Sequence, residues 1–362
     1  MARFFLLYIL LIVLSCQSDD GANTSPVGER NFGMGFTSWP YAPSVESVND
    51  TYAFLQNNGD IYAEHIDERI PWNAWIDDNI LPASFVESID AKVAKREQDM
   101  KLLLSVSVLN TNREDLKEDW NGNPVNYNAI NDQWIEDAYV NHVEYLVERL
   151  DPQYLVYAIE VNELLMRSPD KWEGFKLLMA NVEERLRSSY PNLPMSQSIT
   201  LHNLYQPEVA NPVQYTDEIS SYMNQNDFVA ISYYPFFKNF KTKTEFQEGF
   251  DFLNAQTSLP IAVVETSHLA EDLIVPNLNI NIPGNPNEQK DYLEVLLDNA
   301  AGNNYEFIIW WSHRDYDLLW ETFPDELKDL GQIWRDTGLL DENGLERPAF
   351  NLWLSQLNST SN

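Results

Sequence analysis

Two glutamates stand where short apolar runs rich in β-branched and aromatic residues stop. One run reads from Tyr154 through Ala158 and Ile159 and finishes at Asn162-Glu163; the other reads Pro260-Ile261-Ala262-Val263-Val264 and finishes at Glu265. An ionised carboxylate is costly to bury unless donors surround it, so such placements call for a use. One carboxylic acid that protonates a leaving oxygen, paired with one carboxylate that attacks carbon or activates water, supplies the chemistry that splits a glycosidic bond. A separation of about 5 to 5.5 Å between the two predicts retention of configuration. The acid then has its pKa raised by desolvation and by its neighbour's charge, while the nucleophile is kept ionised by hydrogen bonds. The plainer reading of the same residues is a pair of structural ion-pair partners.

The elements that position such a pair are short strands alternating with longer amphipathic stretches, the pattern of repeated β-α units. Strands are predicted near residues 32–38, 60–66, 101–108, 154–161, 195–201, 227–234, 260–266 and 305–311. Helices are clearest at 131–150, where Trp134, Ile135, Ala138, Tyr139, His142, Val143, Leu146 and Leu150 trace one stripe, and at 170–189. A doubly wound sheet also alternates strand and helix. With 13 glycines and no Gly-x-Gly-x-x-Gly or Gly-Lys-Ser/Thr loop after any strand, the expected fold is instead a single (β/α)₈ TIM barrel, a member of the α/β class. Reactive groups of such barrels project from the C-terminal ends of the strands, and strands four and seven face each other across the mouth.

Asn162-Glu163 closing strand four and Glu265 closing strand seven resemble the signature of the clan A retaining glycoside hydrolases. The segment Ile231-Ser232-Tyr233-Tyr234-Pro235-Phe236-Phe237, with Val264-Glu265-Thr266, is similar to the corresponding parts of glycoside hydrolase family 53, the endo-β-1,4-galactanases. The resemblance implies Glu163 as acid/base, Glu265 as nucleophile, Asn162 as the ligand of the sugar 2-hydroxyl and a strand-six tyrosine, Tyr233 or Tyr234, beside the nucleophile. It covers about a quarter of the chain. The family also places an arginine at the end of strand two, where this chain has His65 and Asp67, with Arg69 following.

Aromatic side chains stack on the C–H faces of sugars, and 11 tryptophans leave rings over after a core is filled. Trp39 after strand one, and Trp310 or Trp311 at the end of strand eight, are the substrate-binding candidates; Trp72, Trp75, Trp120 and Tyr127 fall in loops after strands two and three. His65, His202, His268 and His313 fall at the same predicted face and suit hydrogen bonds to hydroxyls or to the glutamates. No His-x-x-x-His or His-Glu-x-x-His spacing occurs, so neither a metal nor a cofactor is expected. The absence of Gly-x-Ser-x-Gly removes the usual esterase. The stretch 269–288 is long enough to shape a cleft wall.

The chain starts with Arg3 and an apolar run that stops at Leu14-Ser15-Cys16, too short to cross a bilayer comfortably. It resembles a bacterial lipoprotein signal: residues 1–15 are the expected signal peptide, Cys16 the lipidated residue, 16–30 a polar tether, and 31–362 the catalytic domain. Localisation is then the bacterial cell envelope, with a lipid anchor in the outer membrane and the domain exposed at the cell surface. Cys16 is the sole cysteine, which excludes an intramolecular disulfide. A net charge of −33 repels phosphate backbones and argues against nucleic acid as partner, and weakly for a neutral glycan. The expectation is a monomeric, endo-acting retaining hydrolase of a neutral β-linked plant or algal polysaccharide (galactan-like, mannan or β-glucan); the alternative is a glycan-binding surface lipoprotein that keeps the barrel without catalysis.

Overall fold

The computed structural model describes residues 30–359. The proposed leader, Cys16 and the tether up to residue 29 lie outside the described residues. Arg30 already belongs to the fold: its backbone N–H donates to the Ser359 carbonyl at 3.0 Å and its guanidinium pairs with Asp60, so the two ends of the described chain meet.

Eight parallel strands close into a barrel: β1 (Gly33–Thr37), β2 (Ile61–Ile66), β3 (Lys101–Val106), β4 (Tyr154–Ala158), β5 (Met195–Thr200), β6 (Val229–Tyr233), β7 (Ile261–Thr266) and, last in the chain, β10 (Tyr305–Trp310). Between β7 and β10 a small antiparallel hairpin, β8 (Leu273–Val275) and β9 (Ile280–Ile282), rises from the stretch expected to form a cleft wall. All eight expected barrel strands are present. Strand four is shorter than expected: it ends at Ala158, and Asn162-Glu163 open the helix Asn162–Arg167 instead of closing the strand.

Local chemistry explains the helices between strands. Ser44 caps Val45–Asn58, Thr242 and Glu245 form a capping box on Lys243–Gln256, and Asn285 with Pro286 starts Pro286–Gly302. The stripe predicted over 131–150 becomes the helix Gln133–Leu150, ended by Asp151 in the left-handed conformation.

The two-residue period of each strand then sorts the apolar residues into two cores. Ile61, Ala63, Leu103, Val156, Ala230, Ala262 and Phe307 fill the barrel, and a larger cluster that includes Met34, Phe36, Leu102 and Trp310 lies between sheet and helices. Gly35 marks the closest approach of β1 to β2: a Cβ there would lie 1.7 Å from the Ile61 carbonyl oxygen. Among the described residues no helix is long and apolar enough to cross a membrane.

Candidate active site

Above the apolar filling of the barrel, the same inward positions turn polar: His65 on β2, Ser105 on β3, Ser198 and Thr200 on β5, Ser232 on β6. Strict alternation would turn Glu265 outward, since Ala262 and Val264 point in. A β-bulge intervenes: Ile231 pairs with Val263 but Ser232 pairs with Glu265, and the register toward β10 shifts at the same place. The extra residue re-aims Glu265 into the mouth. There it lines a cavity of about 1100 Å³ together with Glu163, Glu160, His65, Tyr234 and Trp311.

Glu265 is 8% exposed. The Tyr234 hydroxyl donates to its Oε1, and His65 Nδ1 lies 3.3 Å from Oε2. Burial, followed by the charge of Glu160, pushes its carboxyl up to about 8, against the Tyr234 hydrogen bond and the Arg113 guanidinium, which both favour the ionised form; the expectation that hydrogen bonds keep this glutamate ionised is thereby reversed, because burial outweighs the donors. Burial holds His65 down to about 4, so its imidazole is neutral beside the glutamate. Glu163, at 4% exposure, is held from three sides: the Thr200 hydroxyl and Asn203 Nδ2 (2.7 Å) donate to Oε1, and Arg167, half exposed one helical turn on, donates to Oε2 at 3.2 and 3.3 Å.

The structure sorts the other sequence candidates by strand phase. Tyr234 and Trp311 face the cavity with Trp39, whose ring centroid is 5.5 Å from that of Trp311; His65 and His202 also line it. Their sequence neighbours do not. Tyr233 faces the helix layer against Phe250 and Tyr292, and Trp310 is fully buried there, its indole N–H donating to the Thr337 carbonyl. His268 is buried between Phe240 and Leu269 and His313 packs on Phe54, both outside the lining. Asn162 is the sharpest correction. Its Nδ2 donates to the Thr200 carbonyl and hydroxyl and to the Tyr215 hydroxyl, its Oδ1 accepts the Thr200 N–H, and it has no exposure, so its amide is not offered to a ligand in the cavity. Trp72, Trp75 and Trp120 pack into or against the core and are not among the lining residues.

Two groups at the site were missed. Arg113, from the loop after β3, reaches Glu160 Oε2 at 3.1 Å and Asp67 at 3.6 Å. It supplies the guanidinium that the resemblance places after strand two, whereas Arg69 lies over Gly122 and outside the lining. Burial works against Asp67's charge, but Arg113 and Lys117 outweigh it and hold that carboxyl below its usual range. Glu160 comes from the turn between β4 and the helix Asn162–Arg167, and its Oε1 accepts the Ser232 hydroxyl at 2.7 Å. No periodicity marks either residue, because both sit in left-handed backbone outside the regular elements.

The cavity has two unlike walls. The loops after β1, β7 and β10 contribute Trp39, Trp311, Phe323, Leu330 and Trp334, and Leu278 from the hairpin; the loops after β3, β4 and β5 contribute Asn112, Arg113, Arg167, Asn203 and Glu208. Carboxylates close enough to share a cation, among the described residues, are Glu271, Asp315 and Glu342, and Asp315, Asp317 and Asp336. None of these lines the cavity, and Arg347 and Arg335 already pair with Asp315, Glu271 and Asp336.

The sequence matches no family model and no curated protein. The fold has solved counterparts. A GH5_18 structure from Bifidobacterium longum subsp. infantis aligns with TM-score 0.65 at 14% identity over 92% of this chain and 80% of that one. An exo-beta-1,4-mannosidase from Opitutaceae bacterium strain TAV5 aligns with TM-score 0.62 at 12% identity over 92% of this chain and 60% of that one. A GH53 catalytic domain from Ignisphaera aggregans aligns with TM-score 0.57 at 13% identity over 89% of this chain and 95% of that one. The chain thus spans 60% of the length of the mannosidase. At these identities the likeness is one of architecture: the structural neighbours are clan A glycoside hydrolases, and this chain is built on the (β/α)₈ barrel that they share.

Proposed function

We propose that the chain is a retaining, endo-acting glycoside hydrolase of a neutral β-linked polysaccharide, with Glu265 as nucleophile and Glu163 as acid/base. The observation that carries the reading is that a bulge turns Glu265 into the same cavity that Glu163 lines, at the C-terminal mouth of a closed barrel, where Tyr234 and His65 hold the carboxylate. The shared architecture with a mannosidase and a GH53 domain supports it.

In the first displacement, ionised Glu265 attacks the anomeric carbon while the Glu163 carboxyl gives its proton to the departing oxygen. Glu163, then a carboxylate, takes a proton from water, and that water opens the glycosyl ester. Arg167, half exposed, pairs with Glu163 Oε2 while that group is a carboxylate. Trp39 and Trp311 offer the ring faces on which a pyranose stacks. Six carboxylates line the cavity against three cationic side chains, which favours an uncharged glycan over a polyanion. A lipid anchor on Cys16 would hold the domain at the bacterial cell surface, where polysaccharide is met.

The test is reducing-sugar release from galactan, mannan, xylan and β-1,3-glucan. Glu265→Ala abolishes turnover, and azide restores cleavage by forming a glycosyl azide, which carries no reducing end and is read by mass spectrometry. Undiminished activity of that variant removes the assignment. Glycan binding without sugar release from any of the four polymers would point to a binding lipoprotein instead.

A further inference from the structure

Three carboxylates, not two, reach the centre of the cavity, and the ladder of neighbouring strands measures their spacing. Thr200 on β5 pairs in register with Ser232 on β6, and Ser232 pairs with Glu265 on β7. Glu163 is anchored on Thr200, two strands from Glu265, while Glu160 is anchored on Ser232, one strand away. With strands about 4.8 Å apart, Ser232, the anchor of Glu160, lies between Thr200, the anchor of Glu163, and Glu265 itself.

Its bonding leaves it available. Both oxygens of Glu163 already accept two hydrogen bonds each. Glu160 Oε2 accepts Nε and Nη2 of Arg113, but Oε1 takes the Ser232 hydroxyl alone and keeps a second acceptor direction. The side chain is 17% exposed. Its backbone holds φ +54, and its N–H is fixed by Ser198 Oγ at 2.9 Å. A glutamate kept in left-handed backbone by its surroundings, with one lone pair left over, is a residue aimed at something.

We propose that Glu160 is a third carboxylate of the reaction centre, seated beside Glu265 to accept a hydrogen bond from a hydroxyl of the sugar ring whose linkage is cut. The proposal rests on the hydrolase reading and gives this acceptor role to a residue that the sequence motif does not mark, in the place where Asn162 is turned away. The groups that face Glu265 are His65 from β2, Asp67 after it, Arg113 after β3, Glu160 after β4 and Tyr234 after β6. Of the charges among them Glu160 is the leading one, so its removal also changes how Glu265 titrates.

The experiment compares wild type, Glu160→Gln, Glu160→Asp and Glu163→Gln on galactan, mannan, xylan and β-1,3-glucan. It also measures, by calorimetry, oligosaccharides of the same polymers binding to Glu265→Gln with and without Glu160→Gln. The isosteric Glu160→Gln should lower kcat/KM by about 100-fold, move the acidic limb of its pH profile downward, gain nothing from azide, and weaken oligosaccharide binding by about tenfold. Glu160→Asp should recover part of the loss. Kinetics and binding within twofold of the parent would overturn the proposal. Azide rescue of Glu160→Gln would also overturn it, by making Glu160 the acid/base itself. A protein that cleaves none of the polymers yet binds an oligosaccharide through Glu160 ends the hydrolase reading alone; one that neither cleaves nor binds ends both.

Discussion

Arg113 and Glu160, joined at 3.1 Å, both hold left-handed backbone, with φ of +56 and +54. Each non-glycine residue in that region costs roughly 1 kcal/mol or more, and the cost persists where the surroundings over-determine the conformation. Here the bonds of Arg113 to Ser107 Oγ and to the Leu109 and Asn110 carbonyls, and of the Glu160 N–H to Ser198, do so. The pair is a strut between the loops after β3 and β4, braced on Asp67.

Removing the strut's cation should cost stability and chemistry together. Arg113→Met leaves half-buried Glu160 without its cation and Asp67 with Lys117 alone, a loss of about 1–3 kcal/mol. It should also push Glu265 further up, since the guanidinium favours the ionised carboxylate. Urea denaturation measures the first effect, and a pH–rate profile the second.

The acidic limb of kcat/KM should lie far above the ordinary carboxylate range. Attack requires ionised Glu265, and burial with Glu160's charge raises that group to about 8, so its ionised fraction grows with pH through neutrality while the Glu163 proton that the leaving oxygen needs sets the other limb. Tyr234→Phe removes a hydrogen bond that favours the ionised form; the limb should move higher and kcat fall about 100-fold or more. The sign for stability is the reverse. A folded pKa raised above the unfolded value gives stability that is present below about 4.5 and is lost as pH rises through about 8, so Glu265→Gln should be more stable than wild type at pH 9.

Mild acid should unfold the chain. All five histidines, His65, His142, His202, His268 and His313, are held down to about 3 or 4, burial being the leading cause for each. The unfolded chain binds protons near pH 6.5 and the folded one does not. Their contribution is therefore intact above pH 6.5 and is lost as pH falls toward 4, at about 1.4 kcal/mol per pH unit for each proton taken up. Urea midpoints at pH 7, 6 and 5 should fall increasingly fast.

Two adjacent tryptophans should fail in different ways. Trp311→Ala removes a ring from the cavity and should raise KM, at a cost in stability as well because the ring packs on Trp39 and His65. Trp310→Ala opens the packed layer between sheet and helices and strands the Thr337 carbonyl, costing about 3–5 kcal/mol with KM unchanged in the protein that still folds.

The barrel was legible because it is periodic. Eight apolar runs, each short and each followed by an amphipathic stretch, leave few other ways to bury so much surface. The alternation that made the strands visible also separates Tyr234 from Tyr233 and Trp311 from Trp310, although adjacent aromatics hide the phase until an inward neighbour such as Ser232 or Ile309 fixes it. Glu265 was found by its place at a strand end, yet it faces inward through a bulge that no pattern in Val263-Val264-Glu265 announces. Asn162, Glu160 and Arg113 defeat periodic reading for one reason: strands three and four end at Val106 and Ala158, and beyond each of them side-chain direction is set by a left-handed residue and by loop bonds that only the assembled fold provides.

The unlike walls of the cavity bear on the order in which the pieces of a cut chain depart. On the proposed mechanism, a sugar stacked on Trp39 and Trp311 would meet broad ring faces beside Glu265, and a segment beyond the cut would meet Arg167, Asn203 and Glu208, groups that water serves nearly as well. The half freed by the first displacement leaves a weakly adhesive surface, and the half esterified to the protein stays on a strongly adhesive one. Turnover is then paced by peeling the second fragment from the tryptophans, so trimming that wall should hasten release even as it loosens capture.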